Sequence, residues 1–253
     1  TVFHFGAQIN VLRSVEDPVE DAESNVLGTL RMLEALHQAK GARFVFASTG
    51  GAIYGTQKTF PADEEHPIHP KAPYGVSKRA GELYLDLYGR DYGLRTVALR
   101  LGNVYGPRQN PKGEAGVVSI FSERILAGKS ICVNGTGEQT RDFVYVEDVV
   151  RAFMLFASDE QESGFSAYNV GWGKEVSVND IVEGLQAAAL ELELNGPEGF
   201  VVEQGPALAG EQQRSVVDPG RLGRELGWSA EIPLGEGLIR TVRSFREQGG
   251  ARK

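Results

Sequence analysis

The chain has 253 residues, of which 41% are apolar and 24% charged, the make-up of an ordinary soluble globular protein with a sizeable core. Its net charge of -8 argues against binding a nucleic-acid backbone as the main task. The single cysteine, Cys132, excludes an internal disulfide framework and fits a reducing, cytoplasmic compartment; no apolar run is long enough to span a membrane, and no signal peptide is expected.

The length suits one large domain or two small ones. Val2 to Phe5 reads as a short buried strand. Asp17-Pro18 opens a helix expected to run to Lys40, with Val19, Ala22, Val26, Leu30, Leu33 and Leu36 on one face and Gly41 as its end. Arg43 to Ala47 is a second strand. A Pro- and Gly-rich loop then leads to a helix at Tyr74, marked by Ala80, Leu83, Tyr84, Leu87 and Tyr88 and closed by Gly93. Thr96 to Leu99 is a third strand. Strands alternating with helices predict an α/β fold with a parallel sheet, whose ligands sit at the carboxyl ends of the strands. Ser48-Thr49 and Gly102-Asn103 fall at that rim.

The rhythm becomes less regular after Pro107. Helices are expected over 116–127, 147–157, 178–190, 220–226 and 234–246, strands over 131–134 and 143–146, and an irregular stretch over 195–210. The expected division is a Rossmann-like part over 1–106 and a smaller, mainly ligand-binding lobe over 107–253, with 142–157 returning to the first part.

Tyr74 and Lys78 carry the chemical signal. Four residues apart on a helix, they share one face. An ammonium there favours the phenolate and fits Tyr74 for proton abstraction near neutral pH, while a hydroxyl from Ser48 or Thr49 could orient a substrate alcohol. The competing reading is a solvated Tyr–Lys pair. Tyr54 and Lys58 repeat the spacing without helical periodicity, and His66 with His69 reads as a Pro-stiffened loop rather than a metal site. No strand, Gly-rich turn and helix unit for a dinucleotide pyrophosphate is present; Gly135 to Thr140 precedes a strand and reads as a surface turn.

Seven motifs then combine in order: His4-Phe5-Gly6-Ala7-Gln8, Ser14-Val15-Glu16-Asp17-Pro18, Asn25-Val26-Leu27-Gly28-Thr29, Ser48 to Gly55, Pro73 to Lys78, Asn103 to Pro107 and Arg141 to Val146. Together the chain resembles the NAD-dependent nucleotide-sugar epimerase/dehydratase family of extended short-chain dehydrogenases, most closely its UDP-glucose 4-epimerase branch. The resemblance implies a Gly-rich βαβ unit and an acidic ribose-binding residue, on the order of 60 to 70 residues, ahead of Thr1. It also implies a homodimer paired through the helices over 17–40 and 74–92. If the chain stands alone, a non-catalytic fragment is the alternative.

By resemblance, Tyr74 is the base for the sugar C4 hydroxyl, Lys78 lowers its pKa and binds the nicotinamide ribose, and Thr49 or Ser48 holds the same hydroxyl. The reaction implied is C4 epimerisation of a UDP-hexose through a transient 4-keto sugar, with NAD as cofactor. Phe5, Gly6, Ala7, Gln8, Asn25 and Gly102 fall beside the cofactor. Asn103 and Arg141 match holders of the UDP pyrophosphate; Val117, Val118, Cys132 and Asn134 match segments beside the uridine. A second phosphate-binding Arg is replaced by Leu208, with Arg214 as its substitute. Ser215, where a bulkier residue narrows some pockets, implies tolerance of UDP-N-acetylhexosamines. Gly50 and Gly51 stand where sister dehydratases carry acids, which disfavours dehydration.

Overall fold

The computed structural model describes residues 1–38, 42–111, 116–157, 163–194, 199–207 and 212–250. β1 (Val2–His4) leads to α1 (Val11–Glu16), α2 (Pro18–Ala22), a π-helical turn over Glu23–Leu27 and α3 (Gly28–His37). β2 (Arg43–Thr49), α4 (Gly50–Ile53), α5 (Pro73–Asp91) and β3 (Arg95–Leu101) follow. Next come β4 (Asn103–Tyr105), α6 (Val117–Leu126), β5 (Ile131–Asn134), β6 (Thr140–Arg141), β7 (Phe143–Tyr145) and α7 (Val146–Leu155). The chain continues through β8 (Gly164–Val170), β9 (Val176–Ser177), α8 (Val178–Glu191), β10 (Val202–Gly205), β11 (Arg214–Ser215), α9 (Gly220–Leu226) and α10 (Leu234–Gly250).

A four-stranded sheet in the order β1-β2-β3-β8, parallel throughout, forms the frame. Both its faces are covered, which is why Phe44 to Ala47 of β2 and Val97 to Leu99 of β3 are apolar runs rather than alternating ones. On β2, Phe44 and Phe46 pack with Leu33 of α3 and with Leu85 and Tyr88 of α5. Val45 faces the other layer, with Val149 and Phe153 of α7 and Leu222 of α9. A separate core gathers Val118 and Phe121 of α6, Ile181 and Leu185 of α8, and Leu238 and Val242 of α10 around Ile131. Short sheets flank it: β5 with β10, and β6 between β9 and β11.

The parallel sheet and its crossover helices agree with the sequence. The first long helix does not run unbroken. It starts as expected, with the Asp17 side chain accepting from Glu20 N at 2.9 Å and Pro18 in the first turn, but widens over Glu23–Leu27. Its expected end at Lys40 and Gly41 lies outside the described residues. The stretch expected to be irregular contains β10, and α10 reaches Gly250 rather than stopping near Arg246. The return to the main sheet also extends beyond 142–157, because β8 is its outer strand beside β3. Among the described residues, no helix is long and apolar enough to cross a membrane.

Candidate active site

Pro73 occupies the first turn of α5, where its missing N–H costs nothing. The Tyr74 N–H donates to Ser14 Oγ at 3.1 Å, and the buried Ser14 hydroxyl donates to Val11 O at 2.7 Å. Thus the Ser14 motif seats the start of the helix that carries Tyr74. One turn on, Lys78 is only 3% exposed. Its Nζ donates to Ala47 O at 2.9 Å and lies 4.7 Å from the Phe46 ring centroid and 5.8 Å from that of Tyr74. Burial lowers the Lys78 pKa to about 8, with Asp21 opposing the shift. At neutral pH the ammonium persists close to the Tyr74 ring. The solvated-pair reading is therefore excluded for Lys78.

The two candidate hydroxyls behave differently. Ser48 is buried, and its Oγ donates to Glu82 Oε1 at 2.7 Å. Thr49 is half-buried at the strand end, where its Oγ1 caps α4 by accepting from Ala52 N at 3.2 Å. A Cβ built on Gly51 would lie 4.0 Å from Thr49 Oγ1 and 3.7 Å from Asn103 Oδ1, so these two side chains flank one point at the rim. Ser48 faces a charged network, whereas Thr49 stands at the rim with Asn103.

That network escaped the sequence reading. Glu82 takes Arg100 Nε at 3.0 Å and Nη2 at 2.9 Å, and both side chains are buried. Burial works against the Arg100 cation, but the Glu82 carboxylate outweighs it and raises the pKa. Arg100 Nη1 also donates to Tyr54 Oη at 3.0 Å, and Tyr54 Oη donates to Asn169 Oδ1 at 2.7 Å. Burial pushes the Tyr54 phenol up to about 12, so it remains a donor. Removing one member of such a buried pair typically costs about 3–5 kcal/mol. Two signals in the chain could have found it: Glu82 lies one turn beyond Lys78 on the same face, and Arg100 interrupts an apolar strand.

Phe5, Gly6, Ala7 and Gln8 follow the carboxyl end of β1. Asn25, buried in the π-helical turn, accepts from Gln8 N at 2.8 Å and donates to Gln8 O at 2.8 Å and Asp21 Oδ1 at 3.0 Å. Gln8 Nε2 also donates to Asp21 Oδ1 at 2.8 Å. Asn25 therefore fixes the rim loop. The Phe5 ring turns sideways onto Phe153, with centroids 4.6 Å apart. Gly102 N donates to Val170 O at 2.8 Å, and a Cβ there would lie 2.8 Å from Asp142 O, so only glycine fits.

The remaining expected residues form a second group. Arg141 Nη1 donates to Thr140 O at 2.8 Å and Gln212 O at 2.7 Å, and Arg141 is in register with the buried Ser215 across β6 and β11. Cys132 and Asn134 share one face of β5 beside Gly205. Val118 is wholly buried in the lobe core, and the partly buried Val117 packs against it. Arg214 is held by Glu175 at 2.8 and 2.6 Å and stacks 3.8 Å from the Phe60 ring centroid. Leu208 lies outside the described residues. A cleft of about 580 Å³ elsewhere on this lobe contains only Val133, Thr136, Glu138, Ser177, Asn179, Asp180, Val182, Glu183, Val202, Glu203 and Gln204, none of them a candidate residue, and its carboxylates disfavour a phosphate ligand.

A family model described as the NAD dependent epimerase/dehydratase family matches residues 1–171. The chain belongs to this family. Over 247 residues it is 41% identical to the UDP-glucose 4-epimerase of Mycolicibacterium smegmatis, covering 98% of this chain and 76% of that protein. The crystal structure of the UDP-glucose 4-epimerase of Thermotoga maritima with UDP-glucose superposes with a TM-score of 0.89 at 42% identity, covering 98% of this chain and 77% of that one. The Thermus thermophilus UDP-glucose 4-epimerase, in complex with NAD, gives 0.85 at 42% identity, covering 97% and 77%.

Family membership implies NAD, and the residues present fit its nicotinamide end. The buried Lys78 ammonium has three hydrogens to give, and Ala47 O takes one. Around the Cβ position of Gly6 only the His4 ring comes near, at 3.6 Å, which leaves the rim loop open to close approach. Burial and the nearby Lys78 cation lower the His4 pKa, so that ring adds no positive charge there.

Proposed function

We propose that the protein interconverts UDP-hexoses at C4, UDP-glucose and UDP-galactose being the type pair, with NAD as cofactor. One observation carries the reading: the buried Lys78 ammonium lies 5.8 Å from the Tyr74 ring centroid and holds β2 two residues before Thr49, and the two positions after Thr49 are glycines. Gly50 has no room for an acid, since its Cβ would fall 2.6 Å from Val217 Cγ1 and 3.2 Å from Arg100 O. A family member without an acid there can oxidise and re-reduce a sugar but lacks the group that drives water loss.

In this reading Tyr74 takes the proton of the C4 hydroxyl, and the buried Lys78 ammonium one turn along α5 stabilises the phenolate. Thr49 Oγ1 orients the same hydroxyl, while Asn103 and Arg141 hold the pyrophosphate, as Arg suits such oxygens. NAD, held by Lys78 and the loop after β1, would supply the two-electron acceptor and donor that the cycle needs. Residues 1–106, joined by α7 and β8, serve the cofactor; most of 107–253 serves the nucleotide sugar. A cytoplasmic location is supported by the single, unpaired Cys132.

The test is incubation with UDP-galactose and NAD⁺. UDP-glucose should form without net NADH, and Tyr74→Phe should abolish it. Stoichiometric NADH, or full turnover by that variant, overturns the reading.

The protein is further proposed to be a homodimer. Leu12 and Val15 of α1, Val19 of α2, and Val76 and Leu83 of α5 are all exposed. These helices pack on one another, and their exposed apolar side chains suit a second copy. Val19→Asp with Leu83→Asp should convert a dimer to monomer in light scattering; a wild-type monomer removes the proposal.

A further inference from the structure

We infer that Glu82 is a positioning residue: through Ser48 it locks the end of β2 against α5 and so aims the Thr49 hydroxyl toward Tyr74. The inference rests on the roles proposed for Tyr74 and Thr49. Two successive turns of α5 grip two successive residues of β2. Lys78 holds the Ala47 carbonyl at 2.9 Å, and Glu82 holds the Ser48 hydroxyl at 2.7 Å. Thr49 is the next residue, and α4 begins immediately after it.

The Glu82 carboxylate is fixed from three directions. Ser48 of β2 and Arg100 of β3 meet at Oε1, at 2.7 and 3.0 Å. Arg100 and Arg79 meet at Oε2, at 2.9 and 3.0 Å. Arg100 continues to Tyr54 Oη and to Glu64 O at 3.1 Å, anchoring the segment beyond α4 as well. The catalytic helix, the strand that ends in Thr49 and the strand that leads to Asn103 therefore share one carboxylate. Such a buried ionic cluster is a poor source of stability, since apolar residues of equal volume serve as well. Its value lies in allowing one relative placement of helix and strand. Tyr74 and Lys78 keep their mutual spacing on one helix in any event; the Tyr74-to-Thr49 placement depends on this clamp.

Ser48 is its weakest link and the safest to cut, because Ser48→Ala leaves the Glu82–Arg100 pair intact. In the full protein, Ser48→Ala should lower kcat for UDP-galactose about tenfold, as small misplacements of reacting groups do, with KM and Tm nearly unchanged. Ser48→Thr, which restores a hydroxyl, should recover the rate. Methyl NMR of Thr49 supplies a readout that needs no turnover: its order parameter should fall in Ser48→Ala and Glu82→Gln and recover in Ser48→Thr. A Thr49 methyl equally rigid in Ser48→Ala overturns the inference, as does an unchanged kcat. If the wild type fails to epimerise while Thr49 still loosens in the variants, the proposed reaction is wrong and the clamp stands. Should Glu82→Gln not fold, Ser48→Ala alone decides.

Discussion

Ser48 and Thr49 are neighbours on β2 whose hydroxyls go to different partners: Ser48 Oγ donates to Glu82 at 2.7 Å, whereas Thr49 Oγ1 accepts from Ala52 N at 3.2 Å. The pleat of a strand turns consecutive side chains to opposite faces, so only one of the pair can face a ligand at the rim.

Thr49→Val should therefore cost about a hundredfold in kcat, a typical effect for a positioned proton-transfer partner. It should also lose about 0.5–2 kcal/mol of stability, because the α4 cap goes with the hydroxyl. Thr49→Ser should restore both. Initial rates and thermal melts of the two variants check this; a fully active Thr49→Val would return the role to Ser48.

Lys78→Met should stabilise the protein while abolishing turnover. The folded-state pKa of about 8 lies below the ordinary 10.5, so the burial cost is present below pH 8 and fades as pH rises toward 10.5. The variant should gain up to about 3 kcal/mol at pH 7. Its advantage over the wild type should shrink between pH 8 and 10.5. Denaturant unfolding at pH 7 and pH 10 reads both effects, and a constant difference across that window would show that Lys78 is not strained by burial.

Acids introduced after Thr49 should separate by position. Gly50→Asp places its Cβ 2.6 Å from Val217 Cγ1 and should destabilise by roughly 1–3 kcal/mol, as overpacking does. Gly51→Asp meets only ordinary contacts at 3.7 and 4.0 Å and should fold normally. Equal Tm values for the two would contradict the packing account.

Ser215 sits in register with Arg141 and leaves a small side chain at the expected sugar end. UDP-N-acetylgalactosamine should be turned over alongside UDP-galactose. An enzyme that accepts UDP-galactose and ignores the N-acetyl sugar would remove Ser215 as a determinant of pocket size.

The helix that carries Tyr74 and Lys78 was legible because the apolar positions behind them share one period, and the parallel sheet because Phe44 to Ala47 and Val97 to Leu99 are apolar runs between helices. β8 was not: Gly164, Ser166 and Asn169 hide a strand whose polar atoms are satisfied by partners far along the chain, such as Glu64 Oε1 on Asn169 N at 2.7 Å. The choice between Ser48 and Thr49 was equally out of reach. Period two says that they differ in face, but the face is set by Glu82, whose carboxylate arrives from a helix in the next crossover. Charged residues on helices read as solvated, and nothing local marks Glu82 and Arg100 as each other's partners.

The widened turn over Glu23–Leu27 makes this segment sensitive to length rather than to composition. Each residue of a helix advances it by about 100°. A wide turn takes up one extra residue while the α-turns on either side stay nearly in phase, so a deletion here would close it to regular α-helix, whereas a further insertion would swing Asp21 by about that angle relative to α3. Asp21 and Asn25 could then no longer both reach Gln8, although every side chain in the cluster would still be present. Insertions between Asp21 and Gly28 should accordingly be far less tolerated than a single deletion or substitutions at the exposed positions around them.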